Sequence, residues 1–310
     1  MILSYHPCFS ADENRICAGR KPDATDRTLI QKADAVILPQ GCSESLYRMA
    51  SQGCNRVFPN YNARFDFSGK TGQIRLFQQN SVPHPLSAAF TDTNSYLSRL
   101  DPTELPTGFD FPVVFKFDWG GEGETVKLIQ NQTDLASQLK KARHYERSDQ
   151  KGFVLQTVIP TGGRVLRVVR MNDLTRTYWR IAPTPDQFLV NLSTGATIDY
   201  DSDPHLQAKA VDLINLVCTK TGINLAAFDV IFSQNGSHDQ PLLLEINYFF
   251  GREGLGGSNA YLDQLTLQIK SWINEQPLVL VAASQQQVPH RSGALGYFID
   301  CRALRRNGAM

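Results

Sequence analysis

The sequence predicts a mixed α/β (α+β) protein. Short apolar runs of strand length, ended by Pro or Gly, recur along the chain. They alternate with segments of helical period that carry caps and stops. Hydrophobic residues make up 42% and charged residues 20% of the 310, an ordinary composition for a chain with a large core.

The elements follow in order. ADAVILPQG (33–41) is a short buried strand closed by Pro and Gly. SESLYRMASQG is a helix with Ser43 as cap and Gly53 as stop, and RVFPN a second strand, so the chain opens with an α/β layer. SGKTGQIRLFQQNSVPHP (68–85) is a helix with Ile74, Leu76 and Phe77 as apolar positions, and Pro83 forbids its continuation. A Pro/Gly-containing connector covers 94–110. FPVVFKFDWGGEGETVKLI (111–129) is strand, glycine loop, strand, and QTDLASQLKKARHYE a helix with Thr133 as candidate cap. FVLQTVIP, RVLRVVRM and TYWRIAP are strands. SDPHLQAKAVDLINLVCTKTG is an amphipathic helix on Leu206, Ala210, Leu213, Ile214 and Val217, ended by Gly222. AAFDVIFSQNGSHDQPLLLEIN is two strands joined by a polar loop, and a last helix runs from near Ala260 to about Ile273. The tail from Gln276 matches no template.

Bulk properties exclude several classes. A net charge of +1 gives no field to gather nucleic acid or an anionic membrane. No apolar run has the length of a membrane span, and MILSYHPCFSADENR lacks the head and core of a signal peptide. Six cysteines, without a CxxC pair, predict free thiols and a cytoplasmic protein. No internal repeat and no low-complexity tract is present.

Candidate chemistry begins in PLLLEIN. Glu245 and Asn247, two apart on a strand, face one side. Asp229, in AAFDVIF, joins them if the strands pair antiparallel. Three hard oxygen donors at one place suit Mg2+; the alternative is the wet face of an edge strand. Lys116 lies in the apolar run VVFKFDW, where a lysine is rarely buried without an anionic partner. Gly120, Gly121 and Gly123 follow, and such glycines let backbone N–H groups close around phosphate. No GK[ST] follows, and a tight hairpin is the plainer reading. Lys70, at a helix start, is unfavourable for the helix dipole unless an anion is near; otherwise it is a solvated surface lysine. Arg164 and Arg170 share one strand face and Arg167 takes the other, with Arg180 at the end of TYWR. Arginine forks suit phosphate or carboxylate, the alternative being salt bridges on the sheet.

The order GKTGQIRLFQQNSVPHP, PVVFKFDWGGEGETV, FVLQTVIP, RVVRM…TYWRIAP, AFDVIF…LLLEIN resembles the ATP-grasp superfamily over 68–273, in the style of the ribosomal-protein glutamate ligases and related carboxylate–amine ligases. The resemblance implies an ATP-grasp fold in which two lobes sandwich ATP behind an N-terminal lobe. The implied domains are a substrate lobe at 1–67, a small lobe with the glycine lid at 68–155, a lobe with the metal site at 156–275 and a tail at 276–310. It implies ATP phosphates on Lys70 and Lys116 under a lid of Gly120, Gly121 and Gly123. It implies adenine at a hinge of Gln156, Thr157, Val158 and Ile159, and Mg2+ or Mn2+ on Asp229, Glu245 and Asn247. Arg167 then faces the reacting carboxyl and γ-phosphate, with Arg180 and Asn191 near the phosphates and metal. The implied reaction joins a small-molecule or peptide carboxylate to an amine acceptor through an acyl phosphate, with self-association as a homo-oligomer left open.

The chain also departs from those ligases. Val165 stands where an acidic residue near the ribose is usual, and the turn NLSTGA after Asn191 lacks a further arginine. Tyr-Phe-Phe-Gly-Arg-Glu-Gly follows Asn247 where a small, proline-containing turn is usual; its aromatics shape a distinct pocket, and Arg252 is either a contact for an acidic acceptor or a surface residue. Two other readings stand beside the ligase: a small-molecule kinase on the same scaffold, and a non-catalytic nucleotide-binding protein.

Overall fold

A computed structural model describes residues 1–120, 123–233 and 239–275. Gly121, Cys301, part of the polar loop before β13 and the whole tail lie outside the described residues. Residues Met1–Glu275 form one compact unit.

The chain opens with β1 (Ile2–Ser4), β2 (Glu13–Asn14), α1 (Ala24–Lys32), β3 (Ala35–Ile37), α2 (Glu44–Gly53) and β4 (Val57–Phe58). The strands are parallel in the order β2-β1-β3-β4. β3 is buried on both faces, as an uninterrupted Ala-Val-Ile run in a parallel sheet should be. Ser43 caps α2, its Oγ accepting from Leu46 N at 3.3 Å. Gly53 is the last residue of α2, not the residue beyond it, and Cys54 is the C-cap. A Cβ at Gly53 would stand 2.8 Å from Ile30, so the glycine serves the close packing of α1 on α2.

The next elements are α3 (Asn62–Asp66), α4 (Gly69–Gln79), β5 (Ser87–Phe90), α5 (Thr93–Leu97), β6 (Val113–Phe117), β7 (Val126–Ile129), α6 (Gln132–Tyr145) and β8 (Phe153–Thr157). α4 stops well before Pro83, and α5 occupies the start of the expected connector. β5 to β8 form an antiparallel sheet in the order β5-β8-β6-β7, in which β8 pairs with both β5 and β6. Its core is aromatic: Phe115 stacks on Phe153 at 4.6 Å and Phe90 on Phe153 at 5.1 Å. Asn131, not Thr133, caps α6, its Oδ1 accepting from Asp134 N at 3.0 Å. A cap must lie outside the helical backbone with its oxygen facing N3, and Asn131 is the extended residue there.

The third group is β9 (Arg164–Met171), β10 (Leu174–Ile181), β11 (Thr197–Asp199), α7 (Pro204–Thr221), β12 (Leu225–Ile231), β13 (Leu242–Asn247) and α8 (Gly257–Asn274). The antiparallel order is β11-β10-β9-β12-β13. Gly222, at φ +72°, ends α7 in the left-handed conformation that suits glycine. α8 starts at Gly257, three residues before Ala260: Gly256 and Gly257, at φ +83° and +86°, turn the chain into it. Tyr261, Leu265 and Ile269 are its buried stripe. Arg56 stacks over Trp272 at 5.0 Å and donates to the carbonyls of Trp272 and Ile273, tying the C-terminus of α8 to the first sheet. Among the described residues no helix is long and apolar enough to cross a membrane.

Candidate functional site

The expected antiparallel pairing of β12 and β13 is present and decides the site. Asp229 stands opposite Glu245 on one side and opposite Arg167 of β9 on the other. Asn247 lies opposite Ala227, on the same face two residues along. Arg180 reaches Asp229 from β10. The Arg167 Nε and Arg180 Nη2 atoms stand 2.6 and 2.8 Å from Asp229 Oδ1. Arg167 Nη2 and Asn247 Nδ2 donate to Oδ2 at 3.3 and 3.2 Å. Asp229, Arg167 and Arg180 are all buried. Burial opposes ionisation of Asp229, but Arg167 and Arg180 outweigh it and hold the carboxyl below the usual carboxylate range. Arg164 faces away, paired with Asp203 at 2.6 Å and stacked on Trp179, as strand alternation requires.

Lys116 faces this group from β6. It is 9% exposed, and burial pushes its ammonium down to about 8, against the pull of Glu245. Lys70, in the first turn of α4, donates to Gly120 O at 3.1 Å. Asp118 supplies the anion that this helix start called for: its Oδ1 accepts from Thr71 N at 2.6 Å. A Cβ on Gly69 would sit 2.3 Å from the same carboxylate, so only glycine fits there. β6 and β7 form a hairpin across the glycine loop. Gly123, at φ +84°, turns the loop onto the segment before β11, where a Cβ would stand 3.1 Å from Leu189 and 3.3 Å from Asn191.

These groups line one cleft of about 380 Å³. Lys70, Lys116, Gly123, Arg180, Asp229, Glu245 and Asn191 line it, as do Gln156, Thr157, Val158 and Ile159. Arg167 and Asn247 stand behind that wall, against Asp229. The Gln156 side chain donates to Ser87 Oγ at 2.9 Å. Val158 and Ile159 lie beyond the β8 ladder and make no backbone hydrogen bond to a described residue.

Part of the cleft lining is apolar: Val165, Ile231, Leu244 and Ile159 pack in one cluster, and Val114 also lines the cleft. The sequence reading missed this floor. Val165 and Ile231 follow from alternation once Arg167 and Asp229 are placed. Leu244 does not, because a register shift between Asp229 and Val230 brings adjacent Leu244 and Glu245 to the same cleft. The loop at 185–191 also lines the cleft and carried no periodic signal.

The donor set fits a hard divalent cation. Asp229 Oδ1 is buried between the Arg167 and Arg180 guanidinium groups, so a cation would share this oxygen with them. Glu245, two residues from Asn247, lines the cleft within electrostatic reach of Lys116. Carboxylate and amide oxygens are the donors such ions take. Among the described residues, this cleft included, no three His, Cys, Asp or Glu side chains gather as a metal centre, so Asp229 and Glu245 would need the Asn247 amide as third donor.

No protein-family model matches the sequence, and no curated protein matches it. Solved structures do. The RimK domain ATP-grasp protein of Sphaerobacter thermophilus matches 86% of this chain and 98% of its own, with TM-score 0.57 at 14% identity. The N5-carboxyaminoimidazole synthetase of Staphylococcus aureus, complexed with ADP, matches 80% of this chain at TM-score 0.56 and 13% identity. The L-amino acid ligase of Bacillus licheniformis matches 83% at TM-score 0.54 and 12% identity. The match spans 63% and 62% of the length of these last two.

Proposed function

We propose that this chain, which has the ATP-grasp fold, is an ATP-dependent ligase that joins a carboxylate to an amine. The observation that carries the reading is one cleft lined both by an apolar cluster and by lysines and carboxylates. Buried Lys116 and half-exposed Lys70 line it together with Asp229 and Glu245.

Adenine packs on Val165, Ile231 and Leu244, with the free backbone groups of Val158 and Ile159 at its edge. The triphosphate extends toward Lys70 and Lys116 under the glycine loop. Asp229, Glu245 and Asn247 would hold Mg2+ or Mn2+, which supplies charge neutralisation to bound phosphates. The substrate carboxylate oxygen attacks the γ-phosphorus, the bond to the β–γ bridging oxygen breaks, and ADP leaves with that electron pair. The amine nitrogen then attacks the acyl carbon, the bond from that carbon to phosphate breaks, and the amine proton is lost. Lys70, Lys116 and Arg180 place positive charge where phosphoryl oxygens gain negative charge. The loop carrying Gly123 closes on Leu189 and Asn191, which keeps water from the acyl phosphate.

The test is phosphate release from ATP over a matrix of carboxylates and amines. Release that requires both partners, and is abolished in Glu245→Ala, is the expected result. A stable phosphate ester formed with one acceptor alone would assign a kinase instead.

A further inference from the structure

We propose that a second cavity, walled by α4, β5 and the connector after α5, binds a small organic anion, and that its occupancy is felt at the nucleotide cleft. The site stands apart from the ligase reading; only its coupling to nucleotide rests on that reading.

The cavity has a volume of about 540 Å³, larger than the cleft and in the range that small ligands fill. Thr71, Arg75 and Gln78 line one wall. Spaced four and three residues apart, they form a single stripe of α4. Phe90 of β5, with Leu100 and Pro106 of the connector, supplies apolar lining, and Arg99 lines the cavity from the connector side. The connector is held in place: the Tyr96 hydroxyl donates to Glu104 O, and Leu100 N donates to Tyr96 O at 3.1 Å. β5 is an edge strand. Thr157 N donates to Leu86 O, which makes Ser87 and Gln156 a pair without mutual ladder bonds. The N–H of Ala89, a residue that lines the cavity, is thereby left off the ladder.

The charge of the cavity is one-sided. Among the described residues no carboxylate lines it, and neither the Arg75 nor the Arg99 guanidinium has a hydrogen-bond or ion-pair partner. Three acids close in sequence to these walls are engaged: Glu104 Oε2 accepts from Asp101 N at 3.2 Å, Asp92 Oδ1 from Ser95 N at 2.6 Å and Asp118 Oδ1 from Thr71 N at 2.6 Å. By contrast, Arg164, Arg167 and Arg180 all pair with aspartates. Two open guanidinium forks on different walls of a partly apolar cavity suit a molecule that carries carboxylate or phosphate groups on an apolar frame.

The coupling comes from what α4 holds on its other faces. Lys70, in its first turn, lines the cleft. Gln73 clasps β13: its Nε2 donates to Ile246 O and its Oε1 accepts from Ile246 N, both at 2.8 Å, between Glu245 and Asn247. An anion held by Arg75 and Arg99 fixes α4 against its own sheet, and with it Lys70 and Gln73. Nucleotide then meets a helix already ordered, so each ligand tightens the other by the same factor.

The full chain is titrated by calorimetry with phthalate and with phenyl phosphate, set against the neutral phthalamide and phenol. The two anions separate a carboxylate site from a phosphate site. At least one is expected to bind with a Kd below about 1 mM and roughly tenfold more tightly than its neutral counterpart. The double variant Arg75→Gln, Arg99→Gln is expected to lose that preference and Lys116→Met to keep it, which distinguishes this cavity from the cleft. A crystal of the unaltered chain soaked with that anion is expected to show it between Arg75 and Arg99, a readout that needs no variant. No anion preference, a preference kept in the arginine variant or lost in Lys116→Met, or an anion seated elsewhere would each overturn the site. ADP is titrated with and without that anion and is expected to bind about fivefold more tightly in its presence. An unchanged Kd for ADP overturns the coupling, whereas a chain that binds the anion but no ADP sinks the ligase reading and leaves the site standing.

Discussion

Lys116 makes nucleotide affinity depend on pH in a way that can be calculated. Its ammonium is buried between β7 and β8, and burial pulls it down to about 8; Glu245 pulls the other way. Bound polyphosphate favours the charged form. As pH rises through about 8, the unliganded chain loses the proton that ligand binding must restore. One pH unit below that midpoint about nine-tenths of the lysines are charged, and one unit above it about one-tenth. The Kd for ADP therefore rises about tenfold between roughly pH 7 and pH 9, while the phosphates, with a pKa near 6, stay fully ionised. The assay is calorimetry in two buffers of different ionisation enthalpy, which also counts the proton taken up. Lys116→Met is expected to abolish the slope and to weaken ADP binding at neutral pH by about 10- to 100-fold, the loss of one hydrogen bond from a charged group. An unaltered chain whose Kd is flat from pH 7 to pH 9, or a Lys116→Met chain with the same slope, would refute the assignment of Lys116 to the phosphates.

Two further outcomes follow from the same geometry. Asp229→Asn leaves Arg167 and Arg180 buried without a counter-charge and is expected to cost about 3–5 kcal/mol in urea unfolding at neutral pH. The native carboxyl is held low, so its contribution is present above the unfolded value near pH 4 and lost as pH falls; the deficit of the variant should narrow below about pH 4. Equal deficits at neutral and acid pH would contradict this sign. Gly123→Ala places a Cβ against Leu189 and Asn191 at φ +84°, and should raise the KM for ATP several-fold while moving the Tm of the chain little. An unchanged KM would mean that the loop does not close over nucleotide.

Much of the site was legible because strand chemistry is periodic. Glu245 and Asn247 two apart, and a lysine inside an apolar strand, are local signals, and antiparallel pairing was enough to bring Asp229 to Glu245. Alternation likewise separated Arg167 from Arg164 and Arg170. What stayed hidden depended on register and on irregular chain. The shift beside Asp229 put Leu244 in the cleft, against simple alternation. The loop at 185–191 lines the cleft without any pattern of its own. Asp118 reaches the start of α4 from across the sheet, a partner 47 residues from Thr71 that no local reading supplies. Helix ends moved by a few residues for a similar reason. Asn131 and Thr133 are both good caps by type, and only the backbone decides between them.

The most direct measurement is a crystal structure of the chain with a non-hydrolysable ATP analogue. Adenine is expected between Val165, Leu244 and the backbone of Val158 and Ile159, with the phosphates among Lys70, Lys116, Asp229 and Glu245. Nucleotide bound outside this cleft, or phosphates directed away from Lys116, would contradict this placement.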